Sequence, residues 1–277
     1  MNKLKELTLQ NLQAAPQRIS DSHKYTYGSL LVIGGSLNYM GAPQLAAQAA
    51  FKCGVGLVSI ALPAHTYFKF EQKVLSAIIF PFFTKENIKE RLDKFSAVVF
   101  GPGLDIKSKL HLQVLEMLLE SKIPLLIDAS GLHLFKKVAA KFDDLSQVVI
   151  TPHLGEATTL LDGLDPLSNY ELLIKDNLTL VLKGSKTLIA NSSECLLATK
   201  GSAALAKAGM GDVLSGIIGA LLAQGYKPLE AAKLGVYIQQ SAHIIALETS
   251  SPLSLMSEDI ISSLPTAWNK LIAAQNS

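Results

Sequence analysis

Short runs of apolar, often β-branched residues recur along this chain, with longer stretches of helical pattern between them. The first six runs cover residues 29–33, 56–62, 96–100, 123–127, 147–151 and 178–183. Strands that are apolar on both faces and alternate with helices are typical of a parallel sheet covered by helices on both sides. The pattern therefore predicts an α/β protein with a largely parallel central sheet.

Polar or glycine-rich turns follow five of these runs, at residues 34–41, 101–103, 128–131, 151–156 and 183–187. In open α/β sheets, ligands bind outside the carboxyl ends of the strands. We therefore expect the polar residues of these five turns to gather along one edge of the sheet.

The pattern changes after residue 183. Two short apolar runs, 187–190 and 194–198, surround Asn191 and predict a hairpin, so the sheet should gain antiparallel strands at one edge. Helices are expected at 212–224, 230–247 and about 257–274. No linker, repeat or low-complexity segment interrupts the chain, which favours a single domain over residues 1–277.

Composition excludes several classes of protein. The formal charge is +2, and lysines and arginines are dispersed, so no basic stripe for nucleic acid is expected. The longest apolar helical run, 213–226, is shorter than the roughly 20 residues of a membrane span. The N-terminus lacks a signal-peptide core, which indicates a cytoplasmic protein. Cys53 and Cys195 lie among apolar neighbours and are interpreted as core thiols.

Nucleotide-binding fingerprints of the two commonest kinds are missing. The run Gly34-Gly-Ser36 lacks the Gly-x-Gly-x-x-Gly spacing, and no downstream acid stands at the required distance. The chain also contains no Walker P-loop. A Rossmann dehydrogenase and a P-loop enzyme are therefore disfavoured.

The stretch from Gly201 to Gly225 holds the most informative chemistry. Gly209 and Gly211 allow a sharp turn, and the free N–H groups that open the following helix favour an anion. Asp212 follows directly. It is either a base that takes a proton from an attacking hydroxyl, or the cap of the helix. The local pattern does not decide between these two roles.

Nine motifs occur in a specific order and spacing over nearly the whole chain. They are His23-Lys24, Gly28 through Gly35, Gly41-Ala-Pro43, Gly54-Val-Gly56, Gly101-Pro-Gly-Leu104, Asp128-Ala129, Thr151-Pro-His-Leu-Gly-Glu156, Lys183-Gly184 and Ala208-Gly-Met-Gly-Asp-Val-Leu214. Together they make the chain resemble the carbohydrate-kinase-like NAD(P)H-hydrate dehydratases, a branch of the ribokinase-like superfamily. The resemblance implies a three-layer α/β/α fold.

The resemblance also implies a repair reaction on the S epimer of hydrated NADH or NADPH. Hydroxide leaves poorly, so the ring hydroxyl would first be phosphorylated, by ADP in the bacterial branch or ATP in the eukaryotic one. Phosphate would then leave with electron push from the ring nitrogen, yielding NADH or NADPH, AMP and phosphate. Mg²⁺ would bridge the nucleotide phosphates and waters.

The same resemblance implies roles for individual residues. Asp212 would be the catalytic base and a substrate contact, and family resemblance favours this role over capping. Ala42, Gly103 and His153 would contact the hydrated dinucleotide. Nucleotide would be bound by the turn Lys183, Gly184, Ser185, Lys186 and Thr187 together with Gly209, Met210 and Gly211. Metal ligands are not assigned, although Asp128 is a candidate contact for substrate or metal. Glu156 either orients His153 or a magnesium-bound water, or caps a helix.

The chain departs from the expected pattern at several positions: Ser130, His133, Ser202, Lys207, Gln239, Gln240, His243 and Ile244. Lys207 would either add phosphate affinity or be a solvated charge. Gln239 and Gln240 would alter nucleotide preference or packing, and His243 is expected to be packed. These departures keep two alternatives open: a small-molecule kinase of the same superfamily, acting on a vitamin-precursor alcohol, and a non-catalytic nucleotide-binding regulator.

Assembly is inferred from the resemblance alone. Family members tend to be tetramers, so a homo-oligomer is expected. Relatives often carry an epimerase domain on the N-terminal side, whereas only a short stretch precedes the dehydratase-like part here. We therefore expect a separate chain to supply the epimerase.

Overall fold

The computed structural model describes residues 4–277, and its strands form one mixed sheet. In chain order the strands are β1 Lys5–Glu6, β2 Ser29–Ile33, β3 Leu57–Pro63, β4 Ile78–Phe82, β5 Ala97–Phe100, β6 Leu125–Ile127, β7 Val148–Ile150, β8 Thr179–Leu182, β9 Thr187–Ala190 and β10 Cys195–Ala198. Their order across the sheet is β1-β10-β9-β8-β7-β6-β5-β2-β3-β4.

Helices cover both faces of this sheet. They are α1 Ala42–Lys52, α2 Ala64–Tyr67, α3 Lys85–Lys89, α4 Lys109–Ser121, α5 Ser130–Val138, α6 Leu154–Leu160, α7 Pro166–Asn169, α8 Met210–Ala223, α9 Pro228–Ala246 and α10 Ser257–Gln275. Among the described residues, no helix combines the length and the apolar character needed to cross a bilayer.

The register of the central strands positions the site. Ile33 of β2 lies opposite Phe100 of β5, Phe100 opposite Ile127 of β6, and Ile127 opposite Ile150 of β7, all in parallel pairs. These strands therefore end at the same level, and the turns that follow them meet at one edge. Strand β8 pairs parallel to β7, whereas β9 runs antiparallel to both β8 and β10, and β1 pairs parallel to β10. The predicted α/β class, largely parallel sheet and hairpin are confirmed.

Alternation along the strands divides the core into two layers, because successive side chains point to opposite faces. On β2, Leu30 and Val32 belong to the cluster that includes residues of α1, α8, α9 and α10. Leu31 and Ile33 belong to the cluster that includes residues of α3, α4 and α5. Cys53 and Cys195 are buried free thiols, as predicted. That residues 1–277 form one domain stays a prediction.

Two strands were not predicted from the sequence. The run Ile78–Phe82 contains Pro81, which cannot donate to a sheet ladder and therefore argues against a central strand. The structure places this run as β4 at the end of the sheet, where proline is tolerated. Strand β1 is only two residues long and pairs with β10, which lies far away in sequence.

Close packing of α8 on α1 depends on a glycine, and we predict that Gly216→Ala destabilises the protein. A Cβ at this position would lie 2.1 Å from the backbone oxygen of Ala46, so one of the two helices must shift. We expect the free energy of unfolding to fall by about 2 kcal/mol, even though alanine favours helices. Urea unfolding measures the change. The control is Gly41→Ala, because a Cβ on Gly41 has no neighbour within 4 Å. Equal stability of the two variants would contradict the prediction.

Candidate active site

A cavity of about 690 Å³ opens at the carboxyl edge of the sheet, between the ends of β6 and β8 and the first turns of α8. Its wall contains residues from four of the nine motifs that the sequence analysis singled out. Those that carry polar or charged groups are Asp128, His153, Lys183, Ser185, Thr187, Ser202, Lys207, Asp212, Gln239 and Gln240. Three of the five polar turns, 128–131, 151–156 and 183–187, therefore meet at this edge, as predicted.

A buried ion pair lies at the base of the cavity. The Nζ of Lys183, at the end of β8, lies 2.8 Å from Oδ1 of Asp128, at the end of β6, and Asp128 is only 1% exposed. The hydroxyl of Ser215, on α8, donates to Oδ2 of Asp128 at 2.8 Å. Burial acts to raise the pKa of Asp128, but the charge and hydrogen bond of Lys183 and the bond from Ser215 outweigh it, so the pKa lies below its ordinary value.

Asp212 lines the same cavity as this ion pair, and its carboxylate has no hydrogen-bond partner among the described residues. It occupies the first turn of α8, but the N-cap of that helix is Gly209, and no side chain caps it. The capping alternative is therefore wrong. Within residues 4–277 the Asp212 carboxylate accepts no hydrogen bond. Burial, followed by the negative charge of Asp128, raises its pKa to about 7, against the opposing effect of Lys183. A half-buried carboxylate with a pKa near neutrality suits a general base.

The two glycines at the start of α8 allow close packing at Gly209 and a close approach to Lys183 at Gly211. Gly209 has φ of 85°, and a Cβ there would lie 2.8 Å from both Leu45 Cδ1 and Ser257 Oγ. A Cβ on Gly211 would lie 3.2 Å from Nζ of Lys183. The backbone N–H groups of this turn and the ammonium of Lys183 therefore approach the same volume, an arrangement that suits phosphate.

The structure places seven of the eight residues predicted to bind nucleotide on the wall of this cavity: Lys183, Gly184, Ser185, Thr187, Gly209, Met210 and Gly211. The eighth, Lys186, is exposed and does not line it. His153 also lines the cavity. It is the N-cap of α6, where its Nδ1 accepts the N–H of Glu156, and Oε2 of Glu156 accepts the N–H of His153. Glu156 thus caps α6, and its Oε2 also lies 3.5 Å from Nε2 of His153, so the structure shows both capping and contact with the imidazole.

A second cavity of about 590 Å³ adjoins the first, since Ala129 lines both. Tyr39 and Leu104 line this second cavity, beside Ala42 and Gly103. A Cβ on Gly103 would lie 3.4 Å from Cβ of Ala42, so these two predicted substrate residues are neighbours. Ala129 itself has φ of 49°, a strained value for a residue with a side chain.

Several departures from the expected pattern now have a location. Ser130 and His133 line the second cavity. The ammonium of Lys207 donates to the backbone oxygens of Leu253 and Leu255, so it ties down the loop before α10. Lys207 also lines the first cavity, so added phosphate affinity stays a prediction. His243 is buried, as expected, and its Nε2 lies 2.8 Å from Oγ of Ser202.

Sequence reasoning missed Ser215. It lies three residues after Asp212 in a largely apolar helix, and its hydroxyl donates a hydrogen bond to Oδ2 of Asp128. A lone hydroxyl among apolar neighbours was the available signal, because a buried polar group needs a hydrogen-bond partner.

Comparison with known proteins identifies the family. A family model described as NAD(P)H-hydrate dehydratase matches residues 30–266 of this chain. The chain belongs to this family. The "Bifunctional NAD(P)H-hydrate repair enzyme Nnr" of Coxiella burnetii is 35% identical over 92% of the chain and 53% of the relative. The chain thus spans about half the length of that relative.

Two further relatives match over most of their own length. The "ADP-dependent (S)-NAD(P)H-hydrate dehydratase" of Lactiplantibacillus plantarum is 28% identical over 81% of this chain and 83% of that protein. The crystal structure of the ADP/ATP-dependent NAD(P)H-hydrate dehydratase from Bacillus subtilis, co-crystallised with ATP and Mg²⁺, superposes with a TM-score of 0.83 at 26% identity, covering 97% of this chain and 99% of that one. The ribokinase-like fold expected from the motifs is confirmed.

Proposed function

We propose that this protein dehydrates the S epimer of hydrated NADH and NADPH, with ADP as phosphoryl donor, and releases NADH or NADPH, AMP and phosphate. The observation that carries the proposal is Asp212, a free carboxylate with a pKa of about 7 beside an anion-binding helix start, in a chain of the dehydratase family. ATP is the alternative donor.

Asp212 acts first. It accepts the proton of the ring hydroxyl, whose oxygen attacks the terminal phosphorus of the nucleotide while the bond to the bridging oxygen breaks. The N–H groups of Gly209 to Gly211 and the ammonium of Lys183 stabilise the charge on the phosphoryl group in transfer. The ring nitrogen then supplies the electron pair that expels phosphate, which leaves an iminium ion. Loss of a proton from the neighbouring ring carbon to solvent restores the double bond of the reduced nicotinamide.

Lys183 is held in place for this role. Its ion pair with Asp128 orients the ammonium, and Ser215 holds the other oxygen of Asp128. A lysine whose position is set in advance loses less side-chain freedom when it binds phosphate. His153 is exposed at the cavity wall, and Ala42 and Gly103 flank the second cavity. We assign this side to the hydrated dinucleotide.

Magnesium fits this site as an ion that is coordinated by the phosphates of the nucleotide and enters the cavity with them. Within residues 4–277, we find no cluster of three or more side chains that could hold a metal ion by themselves, counting histidine, cysteine, aspartate and glutamate. Mg²⁺ usually keeps several waters and binds substrate phosphates with one or two carboxylates. Asp128 and Asp212 are the carboxylates on the cavity wall that its water shell would meet, and the ion would neutralise phosphate charge.

The test mixes the purified protein with hydrated NADH, Mg²⁺ and either ADP or ATP. The return of reduced-nicotinamide absorbance and the release of phosphate are followed together. Recovery with ADP supports the proposal, and faster recovery with ATP changes only the donor. A small-molecule kinase would instead accumulate a phosphorylated alcohol, and a regulator would bind nucleotide without turnover.

Further properties belong to the proposal. We propose a cytoplasmic enzyme that forms a homotetramer and receives its S epimer from an epimerase on a separate chain. A mass measurement in solution tests the tetramer. The relatives named bifunctional support the link between the two activities.

A further inference from the structure

The first cavity has a second, less polar end beside α9. Leu205, Ala206 and Val236 contribute apolar surface there. The loop that carries Leu205 is attached to α9, because the N–H of Lys200 donates to Gln240 and Ser202 bonds to His243. An apolar slot beside a phosphate site suits the flat base of a nucleotide.

Two glutamines of α9, Gln239 and Gln240, line this end while being only 7% and 4% exposed. Nε2 of Gln239 donates to the backbone oxygen of Met210 at 2.7 Å. Oε1 of Gln240 accepts the backbone N–H of Lys200 at 3.2 Å. Because a carbonyl only accepts and an N–H only donates, these partners determine how both amides are oriented.

Each amide consequently has one unused atom. Within residues 4–277, Oε1 of Gln239 and Nε2 of Gln240 have no hydrogen-bond partner, and neither is among the fully enclosed polar atoms. The cavity wall therefore presents one acceptor and one donor from neighbouring residues. Because both atoms keep accessible surface and their residues line the cavity, a ligand that carries the complementary donor and acceptor can pair with them.

We propose that Gln239 and Gln240 are specificity-determining residues that recognise the edge of adenine. This inference rests on the proposed function, since it assigns the base of the nucleotide to the apolar end. Adenine presents an amino donor at N6 next to a ring acceptor, N7 on the major-groove edge. Oε1 of Gln239 accepts from N6, and Nε2 of Gln240 donates to the ring nitrogen. Hypoxanthine and guanine carry an acceptor oxygen at position 6, which would face the oxygen of Gln239.

The first test uses the unaltered protein. Isothermal titration calorimetry with ADP and IDP, each with Mg²⁺, compares two ligands that share ribose and phosphates. We expect ADP to bind at least about ten-fold more tightly, because IDP loses one hydrogen bond and places two acceptors together.

The second test changes one atom pair. In Gln240→Glu one carboxylate oxygen still accepts the N–H of Lys200, while the other replaces the free donor by an acceptor. We expect its affinity for ADP to fall at least about ten-fold. Gln113→Glu, an exposed residue of α4, makes the same change of charge away from the cavity and should bind ADP like the unaltered protein. Melting temperatures confirm that both variants fold.

The outcomes separate the two levels of the proposal. Equal affinities for ADP and IDP overturn the adenine assignment and leave the proposed function intact, as does full ADP affinity in folded Gln240→Glu. Absence of ADP and ATP binding to the unaltered protein overturns the proposed function and this inference with it. The comparison of ADP with IDP remains decisive if Gln240→Glu does not fold.

Discussion

Replacing Asp212 by asparagine is expected to lower the rate of NADH recovery by at least about 100-fold, the contribution typical of a general base. The amide cannot accept the hydroxyl proton. Nucleotide affinity should persist, because Lys183 and the backbone of the Gly209 turn are unchanged. In the unaltered protein, kcat/KM should rise with pH through about 7, as the pKa of Asp212 is raised to that value. Initial rates over a pH series measure both effects.

The same substitution should stabilise the fold at alkaline pH. The pKa of Asp212 is raised from 3.8 to about 7 on folding, so ionisation costs the folded state stability as pH increases through that range. Asparagine removes this cost, and we expect a gain of about 4 kcal/mol at pH 8 and none below the unfolded pKa. Asp143→Asn, an exposed aspartate, is the control. Full activity of Asp212→Asn would eliminate Asp212 as the base.

Breaking the buried ion pair should move the pKa of Asp212 in opposite directions, according to which partner is removed. The charge of Asp128 raises this pKa, and the charge of Lys183 lowers it. Asp128→Asn should therefore shift the acidic limb of the kcat/KM profile down by about one pH unit, and Lys183→Met should shift it up. Carbon NMR titration of the Asp212 carboxyl measures the same pKa without turnover.

Stability provides a second readout for the pair. Lys183→Met leaves the 1% exposed carboxylate of Asp128 without its counter-charge, and we expect a loss of about 3 to 5 kcal/mol. The double variant Asp128→Asn with Lys183→Met should recover part of this loss, because no unpaired charge remains. Additive losses in the double variant would show that Asp128 and Lys183 do not stabilise each other. Shifts of the profile in one direction only would show that the charges of the pair do not set the pKa of Asp212.

The candidate site was predictable only where its chemistry is local. Gly209, Gly211 and Asp212 are consecutive features of one turn, so the sequence indicated both an anion site and a carboxylate. It did not decide whether Asp212 caps the helix, because that depends on where α8 begins. The structure resolves the question by placing Gly209 at the N-cap.

Long-range partners were not predictable in the same way. Asp128 and Lys183 end strands β6 and β8, which lie on either side of β7, so their 2.8 Å contact depends on strand order. Ser215 reaches Asp128 from a helix that packs across the sheet. The free amide atoms of Gln239 and Gln240 are apparent only once Met210 and Lys200 are known to hold the other atoms.

By itself the sequence determined the α/β class, the central strands, the closing hairpin and the motif order that indicates the family, because apolar periodicity and glycine turns are properties of neighbouring residues. The tertiary structure decided which strand lies at the edge, which carboxylate is paired and which stays free. Those outcomes depend on the burial and charge that distant segments impose on each other when the sheet assembles.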